Sequence, residues 1–204
     1  VELNAGYNGS EDYAPSRRFG FFPSVGVGWV LSREKFFEPL SDVFQFFKVR
    51  YSNGKSGAPG TGLRFGYLTL ITTGARGITF GVPGSSTGNI SGINISQYGA
   101  DVSWATSHMQ NLGLEFNVAN NKLSFVLDYF KSYRTGVFLT RADFPGYAGL
   151  QYNPVGNYGI VDVSGFDGTV ELKPMPIGGK SNISFRGTFT YNADVVIENR
   201  QAPF

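Results

Sequence analysis

Along most of this chain a large apolar residue returns at every second position. In Leu112-Gly113-Leu114-Glu115-Phe116-Asn117-Val118 the odd-numbered side is polar or bare and the other is apolar. Leu123, Phe125, Leu127 and Tyr129 alternate with Ser124, Val126, Asp128 and Phe130, and Ile183, Phe185, Gly187, Phe189 and Tyr191 alternate with Ser184, Arg186, Thr188, Thr190 and Asn192. Val25, Val27, Trp29 and Leu31 repeat the pattern, as do Phe47, Val49 and Tyr51, Phe166, Val170 and Leu172, and the shorter Leu3, Ala5 and Tyr7. A period of two is that of an extended strand with two unlike faces. Only Ser32–Val43 has room for a turn or two of helix, so the chain is predicted to be all-β.

Two architectures satisfy such strands. A secreted, soluble β-sandwich that binds glycan through tyrosine-rich loops would turn the apolar face inward. A membrane barrel would turn it to lipid and line a wet lumen with the polar face. Charges inside the strands (Lys48, Arg50, Glu115, Asp128, Asp167, Glu171 and Arg186) lie on the less apolar side. Lys131 breaks the rule about ten residues into its strand, where the apolar stretch of a tilted membrane strand ends. Aromatic residues gather near strand ends, at Phe19, Phe21 and Phe22, at Phe36 and Phe37, at Phe44, Phe46 and Phe47, and at Tyr129, Phe130 and Tyr133. Outer-membrane barrels carry aromatic girdles in those places. The expected strands run nine to fourteen residues for the most part, beyond the five or six usual in a sandwich. The barrel is therefore preferred.

Strands are expected at about 1–8, 19–32, 44–52, 104–118, 122–136, 160–173 and 182–195. The connections then alternate between compact (33–43, Ala119-Asn120-Asn121, 174–181) and long (9–18, 53–103, 137–159, and the tail from about 196). Short periplasmic turns and long extracellular loops alternate in this way. Segment 63–72 also looks strand-like, but a spanning strand there would invert every later connection. It is expected to pair with 78–82 as a hairpin inside an extracellular loop 53–103. Seven spanning strands remain, although single-chain bacterial barrels use even numbers and a sheet edge cannot face lipid unpaired. Residues 1–204, which begin at Val1 without a start methionine or signal peptide, are accordingly expected to be part of a larger barrel.

Composition excludes several other classes. Charged residues make up 16% of the chain, against roughly 25% in soluble domains. With aromatics also at 16%, disorder is excluded. A net charge of +2 gives no basic stripe for nucleic acid, and the absence of cysteine removes disulfides, thiol nucleophiles and thiolate metal sites. His108 is the single histidine; a triad with Ser107 or Ser103 and Asp101 would need a specialised turn, because strand neighbours point apart. Gly54-Lys55-Ser56 lacks the earlier glycine of a phosphate-binding loop, Val49 standing there, and Gly57-Ala58-Pro59-Gly60-Thr61-Gly62 reads as turn chemistry. Neither a pair of acids with hydrolase character nor a calcium-loop spacing is present. No enzyme, metal or cofactor is expected.

Particular motifs go further. Arg18-Phe19-Gly20-Phe21-Phe22-Pro23-Ser24-Val25-Gly26-Val27-Gly28-Trp29, then Glu34-Lys35-Phe36-Phe37, then Phe47-Lys48-Val49-Arg50 resemble successive wall elements of the SusC/RagA-like TonB-dependent transporters of Bacteroidetes outer membranes. The most specific stretch is Asp101-Val102-Ser103-Trp104 with Asn111-Leu112-Gly113-Leu114-Glu115-Phe116, Asn121-Lys122-Leu123 and Asp128-Tyr129-Phe130; Gly165-Phe166-Asp167 resembles a later element. The chain departs from the family at Ala100 and Ala105, where proline and glutamate are usual, and at Val163-Ser164, where asparagine and lysine are common. These are architectural motifs and carry no information on cargo.

The resemblance implies an antiparallel transmembrane barrel of about 22 strands with an N-terminal plug domain, absent from 1–204. It implies a bacterial outer-membrane importer working with a SusD-like surface lipoprotein lid, and with the TonB complex through the absent N-terminal part. Cargo would be glycan or peptide, held in a wall set in outer-membrane lipid. Candidate cargo-binding residues are those of the outer loops: Tyr13, Arg17 and Arg18, then Arg76 and Tyr98, then Arg141, Tyr147 and Tyr152. Aromatic rings stack on sugar faces and arginines hold carboxylates, and loops carry recognition more often than frameworks do. Glu115, Asp128 and Arg186 are expected to face the lumen.

Overall fold

The computed structural model describes residues 1–59, 64–79, 89–179 and 181–201, with positions 79 and 89 described by backbone alone. Nine strands follow in order: β1 (Glu2–Gly9), β2 (Phe19–Val30), β3 (Phe44–Ala58), β4 (Leu70–Thr79), β5 (Asn89–Gln97), β6 (Ala105–Val118), β7 (Leu123–Thr140), β8 (Val155–Ile177) and β9 (Ser181–Glu198). Seven of them form one antiparallel sheet in the order β1-β2-β3-β6-β7-β8-β9, while β4 and β5 pair separately as a hairpin inserted between β3 and β6. The sheet is not closed. No described helix is long and apolar enough to cross a membrane, which bears only on helices.

Residues directly opposed in a ladder share a face, so the register sorts the side chains. One face carries Trp29, Val49, Leu114 and Leu127 at one level, and Tyr51, Leu112, Tyr129, Phe166 and Tyr191 at the next. Phe47, Phe116, Phe125 and Val170 form a further level of the same face, toward the compact connections. These side chains are open to the surroundings, Trp29 by 51%, Phe166 by 54% and Tyr191 by 65%. Among the described residues the buried apolar ones are only Tyr13, Phe22, Phe37 and Val102. A sandwich would bury one face against a second sheet about 10 Å away; the only other described sheet is the two-stranded β4–β5. The sandwich alternative is therefore not favoured: among the described residues the seven-stranded sheet leaves its apolar face uncovered.

The compact connections cluster at one end. Between β2 and β3, short 3-10 segments at Leu31–Arg33 and Lys35–Leu40 bring Phe37 onto Phe47 and Phe44, with ring centroids 5.5 and 6.3 Å apart. Phe116 stacks on Phe125 at 4.8 Å in continuation. Trp29 packs edge-on against Phe36 and donates its indole N–H to Glu34 Oε1 at 2.9 Å, so the ring is apolar on one side and wet at its tip. The β6–β7 turn passes through Ala119, Asn120 and Asn121 with φ of 53°, 55° and 61°. Between β8 and β9 the chain turns at Gly178 and Gly179, both left-handed.

Toward the opposite end the strands outrun their expected limits. β3 continues to Ala58 rather than stopping near 52, β7 reaches Thr140, and β8 begins at Val155. Hydrophobic alternation marks only the part of a strand that needs an apolar face. Beyond it the backbone ladder continues, from Ser52↔Asn111 to Ala58↔Ala105, through Gly- and Ser-rich sequence that reads as loop. The connection between β3 and β6 therefore starts after Ala58, not at 53.

Its hairpin is also differently built. Leu70–Thr79 pairs with Asn89–Gln97, not 63–72 with 78–82, of which residues 63 and 80–82 lie outside the described residues. Phe65 has a left-handed φ of 56°, and the carbonyls of Phe65 and Leu68 accept bonds from Gln97 Nε2 at 3.2 and 2.9 Å. The aromatic alternation at 65–71 is thus a turn followed by a strand start.

Candidate functional site

The polar face of the sheet holds a chain of ion pairs across three strands. Lys48 Nζ lies 3.2 Å from Glu115 Oε1, Arg50 Nε lies 3.0 Å from the same oxygen, and an Arg50 terminal nitrogen lies 2.6 Å from Asp128 Oδ2. The register sets this up: Lys48 is opposite Glu115, and Gly113 separates Arg50 from Asp128. A Cβ at Gly113 would fall 2.6 Å from Arg50 Nε and 2.7 Å from Asp128 Oδ1, so glycine is what lets the guanidinium cross the strand. Asp128 is buried and is directly opposed by Asp167. Arg186 lies on the same face, opposite Glu171. The three residues expected to face a lumen thus share one polar face, and Glu115 and Asp128 are joined through Arg50.

The long connections gather at the far end, where β7 and β8 project. An open cleft of about 690 Å³ is lined by Arg17, Tyr98, Asp101, Trp104, Asn157 and Tyr158, among others. Arg17 and Asp101 pair at 2.6 Å. The Trp104 indole donates to the Arg18 carbonyl at 3.1 Å, and its ring meets Tyr13 and Phe22, each with centroids 5.4 Å away. Asn157 ties the floor together. It accepts from the Ser103 amide at 2.8 Å and donates to the carbonyls of Ser103 at 2.8 Å and Gly136 at 2.6 Å. Gly136, with φ of 67°, sits at a break in the β7–β8 register, which is why its carbonyl is free of the ladder.

Next to this cleft Arg141 holds Asp143 with two bonds, of 2.9 and 2.8 Å, and lies over the rings of Phe144 at 4.6 Å and Tyr158 at 5.5 Å. The hydrogen bond from Arg141, and then its charge, hold the Asp143 carboxyl below the usual carboxylate range; the same bond raises the arginine. The Arg200 guanidinium also stands over the Tyr158 ring, 5.9 Å from its centre, and the Arg200 carbonyl accepts from the Ala142 amide at 3.0 Å. The β4–β5 hairpin leans on this loop through Gln151, which accepts from the Ile95 amide at 3.2 Å and donates its own amide to the Tyr98 hydroxyl at 3.3 Å.

The loop candidates therefore separate. Arg17 and Tyr98 line one cleft, and Arg141 adjoins it through Tyr158. Tyr13 is fully buried against Trp104 and braces the cleft instead of presenting its ring. Tyr147, 93% exposed, and Tyr152 stand out from the β7–β8 loop, and Arg76 is exposed on β4. Reading by residue type missed Asp101, Asn157 and Tyr158 as cleft residues; a lone asparagine at the start of a strand carries no sequence signal until its three bonds are seen.

His108 lies on the face opposite to Ser107, whose hydroxyl is taken by Ser132 at 2.8 Å, and Asp101 is engaged by Arg17. These residues do not converge as a triad. Gly54-Lys55-Ser56 lies within β3 and forms no phosphate loop. Among the described residues no group of three or more acids or histidines is placed to hold a metal.

No family model matches the chain. It is similar to three curated TonB-dependent receptors. P3 of Formosa agariphila is 25% identical over 167 residues, which is 81% of this chain and 16% of that protein. SusC of Bacteroides thetaiotaomicron is 25% identical over 172 residues, 83% of this chain and 16% of that protein. P39 of Formosa agariphila is 26% identical over 197 residues, 94% of this chain and 17% of that protein. The chain thus spans about one sixth of the length of these relatives. Among solved structures, the RagAB peptide importer in its closed-closed state matches with a TM-score of 0.77 and 19% identity, covering 96% of this chain and 20% of that one. The RagAB peptide transporter matches with a TM-score of 0.76 and 20% identity, covering 97% and 20%. The sequence resembles SusC/RagA-like TonB-dependent transporters, and the fold is that of a portion of their barrel.

Proposed function

We propose that this chain forms part of the barrel wall of a TonB-dependent importer in a bacterial outer membrane, and that its work is transport, not catalysis. The observation that carries the reading is the apolar face, continuous over adjacent strands and bordered by aromatic levels. From Phe21 to Trp29 is eight residue steps, ~26 Å along the strand at ~3.3 Å each. At a tilt of ~40° that is ~20 Å along the membrane normal, near the ~25 Å apolar band of such barrels. The polar face, with the ion pairs joining Lys48, Glu115, Arg50 and Asp128, would line the lumen against a plug domain. The clustered long connections would then be extracellular.

Cargo is glycan or peptide, taken at the cleft of Arg17, Tyr98 and Tyr158 under a SusD-like lipoprotein and released inward when the TonB complex acts on the plug. The peptide importer among the structural neighbours favours peptide, whose carboxylate would exchange with Asp101 on Arg17 or with Asp143 on Arg141. The test is uptake by cells lacking the full-length gene, supplied with labelled oligopeptides or oligosaccharides too large to diffuse through porins. TonB-dependent uptake of one class, restored by the wild-type gene, is the expected result. A full-length product that stays soluble and monomeric in plain buffer would overturn the reading.

A further inference from the structure

The apolar face is not uniform at its outer border. One level above the aromatic row of Tyr51, Leu112, Tyr129, Phe166 and Tyr191, the register aligns Leu3, Val25, Asn53, Gln110, Lys131, Ser164 and Ala193. At the level above, Lys55, His108, Tyr133, Asp162 and Val195 are opposed in turn, and Ala5 pairs with Pro23 on the neighbouring strands. The two flanks of the sheet thus remain apolar while β3, β6, β7 and β8 have become polar. Strand tilt moves a membrane border steadily up or down across a barrel. It cannot lower the border in the middle and raise it on both sides, so the polar notch needs another cause.

The notch is rich in donors. Lys131 is balanced by Asp162 at 3.2 Å, but among the described residues neither Lys55 nor His108 has an ion-pair partner. Directly opposed side chains have Cβ atoms ~5 Å apart, so Lys55, His108 and the Tyr133 hydroxyl can converge on one small anion. Beside them a groove of about 340 Å³ is lined by Leu3, Pro23, Val25, Asn53, Lys55 and His108, with the polar Asn4 and Ser24 among the rest, and is mostly apolar with Lys55 and His108 at its top. That pairing suits a ligand that is a hydrocarbon chain below and a phosphate above. Lysine serves phosphate as a compact charge, and bonds from charged donors are the strong ones.

The geometry points to a binding site on the membrane-facing surface for a phosphorylated glycolipid of the outer leaflet. Its phosphate would be held by Lys55 and His108 with Tyr133 beside them, and an acyl chain would lie over Leu3, Pro23 and Val25. The inference rests on the outer-membrane reading above, since only there does this face meet such lipid.

The test uses the full-length protein purified in detergent, titrated with purified lipid A and with the same lipid dephosphorylated, and followed by native mass spectrometry. Wild type should prefer the phosphorylated form. Lys55→Gln combined with His108→Gln should lower lipid A occupancy roughly tenfold or more, and Lys55→Gln alone by part of that. Lys35→Gln at the opposite end should leave it unchanged, and inorganic phosphate should not displace the lipid. Equal retention of both lipids, or unchanged occupancy in the double variant, overturns the site. Heat-dependent gel mobility reports separately that each variant is a folded barrel. Failure of the wild type to enter detergent micelles at all would indict the membrane reading instead.

Discussion

Asn157 makes three bonds with one amide, so the cost of losing it falls on the segments it joins, the approach to β6 at Ser103 and the break in β7 at Gly136. Asn157→Ala leaves the Ser103 amide and two carbonyls to find water, at about 1–3 kcal/mol for partly buried groups. Hydrogen exchange should show the amide of Ser103 losing protection while the β6–β7 ladder keeps it; unchanged exchange at Ser103 would refute the clasp. Asp143 makes a second residue-level case. Its carboxyl is held below the ordinary range by the bond from Arg141 and by that residue's charge. The order it lends to the loop is therefore fully present above the usual carboxylate pKa of about 3.9 and is lost as pH falls through its lowered value. A carboxyl-carbon NMR titration should place the Asp143 midpoint below that of an exposed aspartate, and Arg141→Gln should return it to the usual range.

Among the elements, the β6–β7 connection stores strain that sequence hides. Asn120 and Asn121 tolerate the left-handed region, but Ala119 does not, at a cost of about 1–2 kcal/mol. Ala119→Gly should stabilise the turn by about 1 kcal/mol, less the entropy glycine brings to the unfolded chain. The denaturant midpoint of the full-length protein should rise, and a fall would mean that Ala119 contributes contacts outweighing its strain. Gly113 is the converse. Gly113→Ala puts a methyl group within 2.7 Å of both Arg50 and Asp128, so β6 must bend or the ion pairs must open. With Asp128 buried, that should cost about 1–3 kcal/mol, read as an earlier thermal transition.

For the whole molecule, the two faces of one sheet should answer oppositely to charge. Leu127 lies on the apolar face, midway between the levels of Tyr129 and Phe125. Leu127→Arg should destabilise the folded barrel in bilayers by about 2–4 kcal/mol, the cost of a cation at the bilayer midplane. Thr169→Arg, on the polar face opposite Val126 and Thr188, should cost far less. Urea unfolding of the two full-length variants in lipid vesicles makes the comparison. Equal losses would mean that the two faces do not meet different solvents.

Sequence alone determined the strand class, the two unlike faces and the alternation of short and long connections. All three follow from a side-chain period of two and from where glycine, asparagine and proline stand, which are local properties. It also placed Glu115, Asp128 and Arg186 on one face, since parity along a strand fixes the side. Tertiary structure decided what parity leaves open. The true strand ends at Ala58, Thr140 and Val155 lie beyond the apolar stretch, where backbone pairing persists without a hydrophobic signal. The partner of β4 is β5, because Phe65 to Leu68 turn back under Gln97. Tyr13 is buried while Tyr147 stands free, and Arg17 meets Asp101 across 84 positions of chain. Such contacts depend on which loops the register carries to the same end of the sheet, and register is a property of pairs of strands that no single strand encodes.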